Sequence, residues 1–511
     1  MTDEPTPWLQ RFQARLQANE GPVRLVQTHI SWVLLTPTHA YKVKKAVSPG
    51  FLDFSTVAAR RAACEAEWRL NRRLAPALYL GLWPLDEQAQ DCEPEQAVEW
   101  VLQMRRFDER DRLDARLTAG TLSDTDLQAL ADAVADMHRQ APVLDAQEGK
   151  VLADLPDEAQ RWQGLRERSV AALTALMGPK APAEQRALLR AVDAWLAQQE
   201  CQLAPLWAQR RAQGAVRDGH GDLHLGNVCW FGGRPLLYDG LEFDDRLRIT
   251  DTAHDLAFLL MDLWAAGHRQ ATWLVASRYL ARWPDWEGVP AWPVFIALRA
   301  LVRWQVACLS APHDPDAGAP YRHVLVQGLM PRRPALILMH GLSGSGKSVV
   351  SSGLVAVGGA LRLRSDEVRA HIAPGYHAGQ REAVYERMRA WAGPALQAGW
   401  RVVLDATHLS RVERAAAQAL AGRCGVPWVI VSCQAPEAVL RQRVRQRRGD
   451  ASDADEAVLE VQLASQEPLQ PEEWRHTWVA DTTLPLTHWA QPRSWRALSS
   501  LAGAAGGTAS G

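Results

Sequence analysis

Residues 335–348 read ALILMHGLSGSGKS, an apolar run of strand length followed by a glycine-rich turn. The last eight residues fit the pattern GxxxxGK followed by Ser or Thr, and VVSSGLVAV at 349–357 is typical of the helix that follows such a turn. Glycines allow backbone amides to point at a phosphate, and the amino terminus of a helix favours an anion. The stretch therefore predicts a phosphate-binding loop (the P-loop, residues 341–348) in an α/β domain with a mainly parallel sheet.

The polar groups of the P-loop have separate expected roles in binding ATP. Lys347 is predicted to place its charge on the β- and γ-phosphate oxygens, as both a binding and a catalytic group, and Ser348 is predicted to ligate Mg²⁺. The complete ATP-binding set predicted for this loop is Gly341, Ser343, Gly344, Ser345, Gly346, Lys347 and Ser348.

Two strands after the P-loop are predicted to end in acidic residues. The segment LRLRSDEVR indicates a strand ending in Ser365-Asp366, with Arg369 one helical turn later. The segment WRVVLDAT indicates another apolar strand, which ends in Asp405. For Asp405 the alternative is a strand-end cap without a functional role.

A run of arginines follows further along the chain. LRQRVRQRRGDASDAD at 440–455 places Arg443 and Arg447 four residues apart, on one side of a helix that precedes a polar loop. A charge run of this kind is also typical of a solvated helix face, which stays open as the alternative.

Residues 335 to about 490 resemble the small P-loop kinases of the polynucleotide-kinase, gluconate-kinase and zeta-toxin type. In those kinases an Asp after the second strand faces the acceptor hydroxyl, and lid arginines close over the phosphates. The resemblance implies Asp366 as the catalytic acceptor-side base, Arg369 as an acceptor anchor, Asp405 as a magnesium-site group, and Arg443 and Arg447 as the ATP-binding lid.

A second group of chemistry-bearing residues lies in the amino-terminal part of the chain. HGDLHLGN at 220–227 places Asn227 five residues after Asp222, and LLYDGLEFDD at 236–245 places Asp239 after an apolar run. Phosphoryl transfer needs a carboxylate near the acceptor hydroxyl and oxygen ligands for the metal. The Asp-x4-Asn spacing is that of the catalytic loop of protein kinases, so these residues predict a second site of phosphoryl transfer.

This second group resembles the aminoglycoside phosphotransferase family, and the resemblance covers about the first 325 residues. It implies a kinase-like α+β fold of two lobes, with Asp222 as the catalytic acceptor-side base and Asn227 and Asp239 as magnesium ligands. Two alternatives stay open. Asp and Asn side chains could serve only as helix caps, or His220, Asp222 and His224 could form a metal site of their own.

The predicted small lobe supplies lysines for the nucleotide. AYKVKK at 40–45 is a predicted strand, and Lys42 and Lys44 share one of its faces because side chains alternate with a period of two. One of them is expected to reach the α- and β-phosphates, with Lys42 favoured. Glu67 has the helical phase of the glutamate that pairs with this lysine. No GxGxxG precedes the strand, and THISW at 28–32 stands in its place.

The helical lobe shows a clear helix start. Ser123 is a predicted N-cap, with Asp126 three residues later to complete a capping box. Leu127, Leu130, Val134 and Met137 then fall on one face of the predicted helix. His138 lies on the same apolar side and is expected to be structural.

The chain is predicted to contain two domains joined near Pro331. SAPHDPDAGAP at 310–320 and MPRRP at 330–334 have the Pro, Asp and Gly content of a linker. The predicted divisions are a kinase-like domain at 1–330, with a β-rich lobe at about 1–105 and a helical lobe at about 112–330, a P-loop domain at 331–495, and a flexible tail at 496–511.

Composition and charge narrow the class of protein. The 511 residues carry 57 Lys and Arg against 58 Asp and Glu, a formal charge of −1, so no nucleic acid is expected as a partner. The apolar stretch at 256–266 is far shorter than the roughly 20 residues of a membrane span, so no membrane partner is expected either. Seven cysteines without a CxxC pair favour a reducing, cytoplasmic location. The oligomeric state is left open.

These features predict an ATP-dependent phosphotransferase with two nucleotide sites. Each site would transfer the γ-phosphoryl group of ATP to a hydroxyl of a small-molecule acceptor, with Mg²⁺. One alternative is a nucleotide-sensing regulatory protein in which one domain gates an ATPase in the other. Another is a P-loop domain that acts as a plain NTPase on a macromolecule.

Overall fold

The computed structural model describes residues 5–48, 53–143, 155–178, 181–330, 333–372, 380–446 and 455–495. Arg447, predicted as part of the ATP lid, and the predicted tail at 496–511 lie outside these ranges. The chain divides into two compact units, Met1–Pro156 with Arg211–Leu259 and Asp157–Arg210 with Leu260–Gly511. The predicted domain boundary near residue 331 falls inside the second unit.

The first unit begins with a helix and an antiparallel sheet, the predicted β-rich lobe. Its elements are α1 (Pro7–Glu20), β1 (Arg24–Gln27), β2 (Ser31–Leu35), β3 (His39–Lys44), α2 (Val57–Leu74), β4 (Tyr79–Leu85) and β5 (Glu99–Arg105). The strand order is β1-β2-β3-β5-β4, and every neighbouring pair is antiparallel. Leu9 and Phe12 of α1 pack with Leu34 and Tyr41 of the sheet, while α2 packs on β4 and β5.

The predicted catalytic residues of the first unit lie in loops that follow short strands. The chain continues through α3 (Leu113–Thr118), α4 (Asp124–Gln140), α5 (Glu158–Met177), α6 (Ala183–Ala212), β6 (Val216–Asp218), β7 (Val228–Phe231), β8 (Arg234–Leu237), α7 (Asp245–Arg248), β9 (Ile249–Asp251) and α8 (Thr252–Ala265). Strand β6 pairs with β9, and β7 pairs with β8. The loop at 220–227 therefore connects β6 to β7, and Asp239 follows β8.

Helix α4 begins as the sequence predicts. The Ser123 hydroxyl accepts a hydrogen bond from the Asp126 amide at 3.1 Å, and the Asp126 carboxylate accepts one from the Ser123 amide at 2.9 Å. This reciprocal pair is a capping box, which satisfies two amides that the first helical turn leaves without partners. The predicted apolar face is buried, at Leu127, Leu130, Val134 and Met137.

The helical part of the second unit is built around one apolar helix. Helices α5 and α6 are joined by α9 (Arg269–Arg282), α10 (Trp292–Ser310) and α11 (Ala319–Leu329). The 22 residues Val289–Ser310 are long and apolar enough to cross a membrane by length and composition, a longer stretch than the one at 256–266. Phe295 of this stretch packs against Trp162 at 5.1 Å and Trp207 at 6.0 Å between ring centroids, so α10 is a core helix of this unit.

The carboxy-terminal part of the second unit is the predicted α/β fold with a parallel sheet. Its strands are β10 (Ala335–His340), β11 (Ala360–Arg364), β12 (Arg401–Asp405), β13 (Trp428–Gln434) and β14 (Thr477–Asp481), in the order β11-β12-β10-β13-β14. All four neighbouring pairs are parallel. The helices are α12 (Lys347–Gly358), α13 (Ser365–Ile372), α14 (Gln380–Gln397), α15 (Arg411–Cys424), α16 (Glu437–Gln446), α17 (Glu456–Ser465), α18 (Pro471–Trp474) and α19 (Leu486–Trp489).

Helix α9 packs against this parallel sheet through tryptophans. Trp273 of α9 meets Trp400 at 5.5 Å between ring centroids, and a Cβ at Gly359 would lie 3.0 Å from the Trp273 ring. The Trp400 indole donates a buried hydrogen bond of 3.2 Å to the Val289 carbonyl. Because Trp273 and Trp400 are both more than nine-tenths buried, the helices of this unit and the P-loop sheet share one core.

We expect Trp400→Ala to lower the free energy of unfolding of the full chain by about 3–5 kcal/mol, the usual cost of truncating a buried large aromatic. The matched control is Trp474→Ala, because Trp474 is 48% exposed and its truncation opens no cavity. Denaturant unfolding followed by tryptophan fluorescence and circular dichroism measures both variants. Equal losses in the two variants would show that Trp400 is not part of a shared core.

Candidate functional site

Two lysines of β3 share one glutamate of α2. Lys42 Nζ lies 2.7 Å from Glu67 Oε1 and 2.8 Å from Asp239 Oδ1. Lys44 Nζ lies 2.5 Å from Glu67 Oε2 and also contacts the carboxylate of Glu242. The structure therefore brings together four residues that the sequence singled out, and it adds Glu242 to them.

The charges of neighbouring residues outweigh burial in setting the pKa values of Glu67 and Lys42. Burial alone would raise the pKa of Glu67, but the charges of Lys42 and Lys44 hold that pKa well below its ordinary value. Burial alone would lower the pKa of Lys42, but Asp239 and Glu67 raise it well above its ordinary value. The Lys42 side chain is 15% exposed and that of Lys44 only 1%, which favours Lys42 as the lysine that a nucleotide reaches.

The loop at 220–227 is closed by its own side chains. Asn227 Nδ2 donates to the Asp222 carbonyl at 2.9 Å and to Asp222 Oδ2 at 3.1 Å. His224 Nε2 lies 3.4 Å from the same carboxylate oxygen. The Asp222 side chain is nevertheless 39% exposed, so its carboxylate is held in place and remains accessible to an acceptor.

A buried aspartate that the sequence analysis missed binds the backbone of this loop. Asp255 of α8 accepts hydrogen bonds from the amides of His220, at 2.8 Å, and Gly221, at 3.0 Å. His138 Nε2 lies 3.2 Å from the same carboxylate, which confirms the structural role expected for His138. Burial alone would raise the pKa of Asp255, but the hydrogen bond and charge of His138 bring it below its ordinary value.

The geometry argues against both alternatives for this loop. His220 Nε2 lies 3.0 Å from the Tyr238 carbonyl, and its Nδ1 accepts a hydrogen bond from the Asp222 amide at 3.3 Å, so both ring nitrogens are used. Within the described ranges, no group of three or more His, Cys, Asp or Glu could hold a metal ion. The short turn at 225–227 is capped by His224, so Asp222 and Asn227 are not helix caps.

Asp239 stands in an unusual backbone conformation beside this loop. Its φ angle is +59°, in the left-handed region that a non-glycine residue adopts at a cost of about 1–3 kcal/mol. Its amide donates to the Tyr79 hydroxyl at 3.1 Å. Mg²⁺ in nucleotide sites is typically held by one or two carboxylates together with phosphates. The carboxylate of Asp239 and the amide oxygen of Asn227 fit that donor set.

In the second unit, the P-loop has the tight backbone that its glycines predict. Gly344 has a φ of +80°, and a Cβ there would lie 2.7 Å from the Leu440 carbonyl. Gly341 has a φ of +140°, and a Cβ there would lie 2.6 Å from the Cys433 carbonyl. Side chains are therefore excluded at both positions, which leaves the backbone amides of the loop to face a phosphate.

The polar groups of the P-loop have different partners. Lys347 Nζ donates to the carbonyls of Gly341 and Leu342, both at 2.9 Å. The Ser345 hydroxyl is buried and has no hydrogen-bond partner among the described residues, a feature that suits a site completed by a ligand. The Ser343 amide donates to Gln462 Oε1 of α17 at 2.8 Å.

Asp405 lies beside the helix that begins at the P-loop. The carboxylate is 4% exposed and accepts a hydrogen bond of 2.7 Å from the Ser351 hydroxyl, one turn after Ser348. Arg364 Nε lies 3.9 Å from the same oxygen. Asp405 is therefore oriented toward α12, and its magnesium-site role stays a prediction.

Asp366 differs from its predicted position. Strand β11 ends at Arg364 and α13 begins at Ser365, so Asp366 lies in the first turn of a helix and does not end the strand. Helix formation wins because Ser365 and Asp366 are residues that favour the first turn of a helix. Arg369 Nη1 pairs with Asp366 Oδ1 at 3.0 Å, so the predicted base and the predicted anchor contact each other.

Arg443 contacts the P-loop and is not on a solvated helix face. Its Nη1 lies 3.3 Å from the Gly344 carbonyl, and its Nη2 donates to the Thr482 carbonyl at 2.6 Å. Arg441, two residues earlier, instead pairs with glutamates at the surface. Within the described part of the run, Arg443 thus lies at the P-loop, while Arg441 and Arg445 form surface ion pairs.

Besides Asp255, three residues around the two sites were missed by sequence reasoning. Glu242 had a signal, because it follows Asp239 by three positions within the same segment. Gln462 and Thr482 lie 119 and 136 positions beyond their neighbours in the P-loop, Ser343 and Gly346, and no local pattern marks them.

Comparison with known sequences finds a matching family model and two mycobacterial relatives. Residues 336–469 match the model of the AAA domain family. An uncharacterized protein of Mycobacterium tuberculosis is 32% identical over 463 residues, which cover 86% of this chain and 89% of that protein. An uncharacterized protein of Mycobacterium bovis matches to the same extent.

Several solved structures with similar parts are kinases. A gluconokinase from Sinorhizobium meliloti is 25% identical and covers 34% of this chain and 95% of its own, with a TM-score of 0.26. A choline/ethanolamine kinase family protein from Mesorhizobium loti is 12% identical and covers 62% of this chain and 92% of its own, with a TM-score of 0.37. Since identity and coverage with the mycobacterial relatives extend over both units, the chain belongs to their family.

Proposed function

We propose that this phosphotransferase has two nucleotide sites and uses each to phosphorylate a hydroxyl group of a small-molecule acceptor. The observation that carries the proposal is the contact of Lys42 with both Glu67 and Asp239, in the unit that also contains the Asp222 loop. A phosphate-binding lysine, its glutamate partner and a metal-binding aspartate are the parts that kinase chemistry requires. The P-loop supplies the second site.

In the first unit, the roles follow from the contacts. When bound, Mg²⁺-ATP supplies the phosphoryl group and the positive charge that neutralises the phosphates. Asp222 accepts the proton of the acceptor hydroxyl on its carboxylate, which Asn227 orients through Oδ2. Asn227 and Asp239 would supply oxygen ligands to Mg²⁺. Lys42 binds phosphate oxygens, and Glu67 keeps Lys42 in position.

In the second unit, Lys347 and Ser348 would hold the phosphates and the metal, with Asp405 behind them. Asp366 accepts the acceptor proton, and its partner Arg369 meets an anionic part of the acceptor, because guanidinium groups pair well with carboxylate and phosphate oxygens. We therefore propose a small anionic or phosphorylated alcohol as the acceptor of this site. We place both activities in the cytoplasm, with no nucleic acid or membrane as partner.

The test is a screen with γ-labelled ATP over a library of hydroxyl-bearing metabolites. The wild type is compared with Asp222→Asn, with Lys347→Ala and with the double variant. We expect two sets of labelled products, one lost in Asp222→Asn and the other lost in Lys347→Ala.

Two results would contradict the proposal. ATP hydrolysis without any labelled acceptor would indicate a plain NTPase. Loss of every product in either single variant would indicate that one domain gates the other, as in the regulatory alternative.

A further inference from the structure

Five alternating charges form a continuous chain through the first unit. From the exposed end inward, the chain runs Asp239, Lys42, Glu67, Lys44 and Glu242, and each residue contacts the next. We call these five residues the charge chain. Asp239, Lys42 and Glu67 have roles in the proposed chemistry, whereas the inner residues Lys44 and Glu242 do not. The inner half therefore needs an explanation of its own.

The inner half of the charge chain is far from solvent. The side chains of Lys44 and Glu242 are 1% and 5% exposed, and that of Asp239 is 43% exposed. The Lys44 ammonium also lies 5.5 Å from the centroid of the Phe54 ring. Burying an ion pair costs desolvation energy that its mutual attraction often does not recover, so such a pair is a poor device for stability alone.

Glu67 is held on both carboxylate oxygens by different lysines. Oε1 faces Lys42 at 2.7 Å and Oε2 faces Lys44 at 2.5 Å. Lys42 in turn has Asp239 as its other partner, while Lys44 has Glu242. A metal held by Asp239 and a phosphate held by Lys42 would compete with the contact between these two residues. The contacts from Glu242 through Lys44 to Glu67 do not have to change.

We infer that Lys44 and Glu242 are positioning residues, which fix Glu67 from its inner side so that Lys42 stays directed at the nucleotide when Asp239 turns to the metal. This inference rests on the proposed function of the first unit. It also separates the two lysines of β3, because Lys42 binds the nucleotide and Lys44 acts only through Glu67. If Lys44 and Glu242 did not hold Glu67, the Glu67 side chain would be able to rotate. Lys42 would then move with Asp239 and away from the nucleotide.

The test removes the inner pair while the second nucleotide site is silenced. In a Lys347→Ala background, the double variant Lys44→Met, Glu242→Leu replaces two buried charges by apolar side chains of similar size, a change that is often neutral for stability. We expect an unchanged melting temperature, a KM for ATP raised about tenfold, as for other groups that orient a binding residue, and kcat changed by less than threefold. A residue with a purely structural role would change the melting temperature instead.

Two further variants keep the result interpretable. Glu242→Gln keeps the shape of the side chain and should raise the KM for ATP by about threefold or more, even if the double variant folds poorly. Glu65→Gln is the matched control, because Glu65 lies two residues from Glu67 on α2 but pairs with Arg61 at the surface. It should leave KM, kcat and the melting temperature unchanged.

The outcomes separate this inference from the proposed function. If the Lys347→Ala background binds and transfers normally and the inner-pair variants do the same, the inference is wrong and the proposed function stands. If that background neither binds ATP nor transfers phosphate, the proposed function of the first unit fails and the inference fails with it.

Discussion

Asp222→Asn should lower the rate of phosphoryl transfer at the kinase-like site by about 10²–10⁴-fold, the range for a positioned general base, while ATP binding stays unchanged. The amide has the size of the carboxylate and can still contact Asn227, whose Nδ2 lies 3.1 Å from Asp222 Oδ2 in the wild type. It cannot accept the proton of the acceptor hydroxyl. Transfer kinetics with an acceptor of this site, together with ATP titration in a Lys347→Ala background, measure the two effects separately.

Two comparisons sharpen this prediction. Asp136→Asn is the control, because Asp136 pairs with Arg139 on the exposed side of α4, and transfer should not change. Asp239→Ala should instead weaken the Mg²⁺-dependent binding of ATP. If Asp222→Asn and Asp239→Ala lost the same affinity for Mg²⁺-ATP, the roles assigned to the two aspartates would be wrong.

Lys347→Ala should weaken ATP binding at the P-loop by about 30-fold or more, because removing one partner of a desolvated charge pair typically costs about 2–5 kcal/mol. Lys347 Nζ is now held by two carbonyls of its own loop, and the neighbouring Ser345 hydroxyl is buried without a hydrogen-bond partner among the described residues. Binding at the kinase-like site should stay unchanged. Calorimetric titration of ATP into the full chain should therefore detect two binding sites in the wild type and one in Lys347→Ala.

The control for this prediction is Arg441→Ala, which removes a cation of α16 that pairs with Glu437 and Glu460 at the surface. Both sites should persist in that variant. A two-site isotherm in Lys347→Ala itself, with both affinities intact, would mean that this P-loop does not bind ATP through its lysine.

Local chemistry made much of this molecule predictable from sequence. The P-loop, the capping box at Ser123 and the closed loop from Asp222 to Asn227 each form within eight residues, so their spacing alone sets their geometry. The order of the residues in the charge chain could not be predicted from local spacing. Lys44 and Glu242 stand 198 positions apart, and their contact depends on how β3 and the segment after β8 pack together.

The position of a residue within a strand or helix could not be predicted from the sequence either. Asp366 was expected at the end of a strand, yet the register of β11 against β12 ends at Arg364 opposite Asp405. A strand end is set by where its partner stops offering hydrogen bonds, and a single sequence does not contain that information.

By itself, the sequence determined the two phosphate-transfer motifs, the parallel α/β fold around the P-loop and the pairing of a β3 lysine with Glu67. Only the tertiary structure decided that Lys42 and Lys44 divide Glu67 between them, and that α9 packs on the P-loop sheet through Trp273 and Trp400. Motifs are determined by the covalent spacing of neighbouring residues. Contacts between distant segments are determined by which apolar and charged faces bury one another, and that choice is made by the whole chain at once.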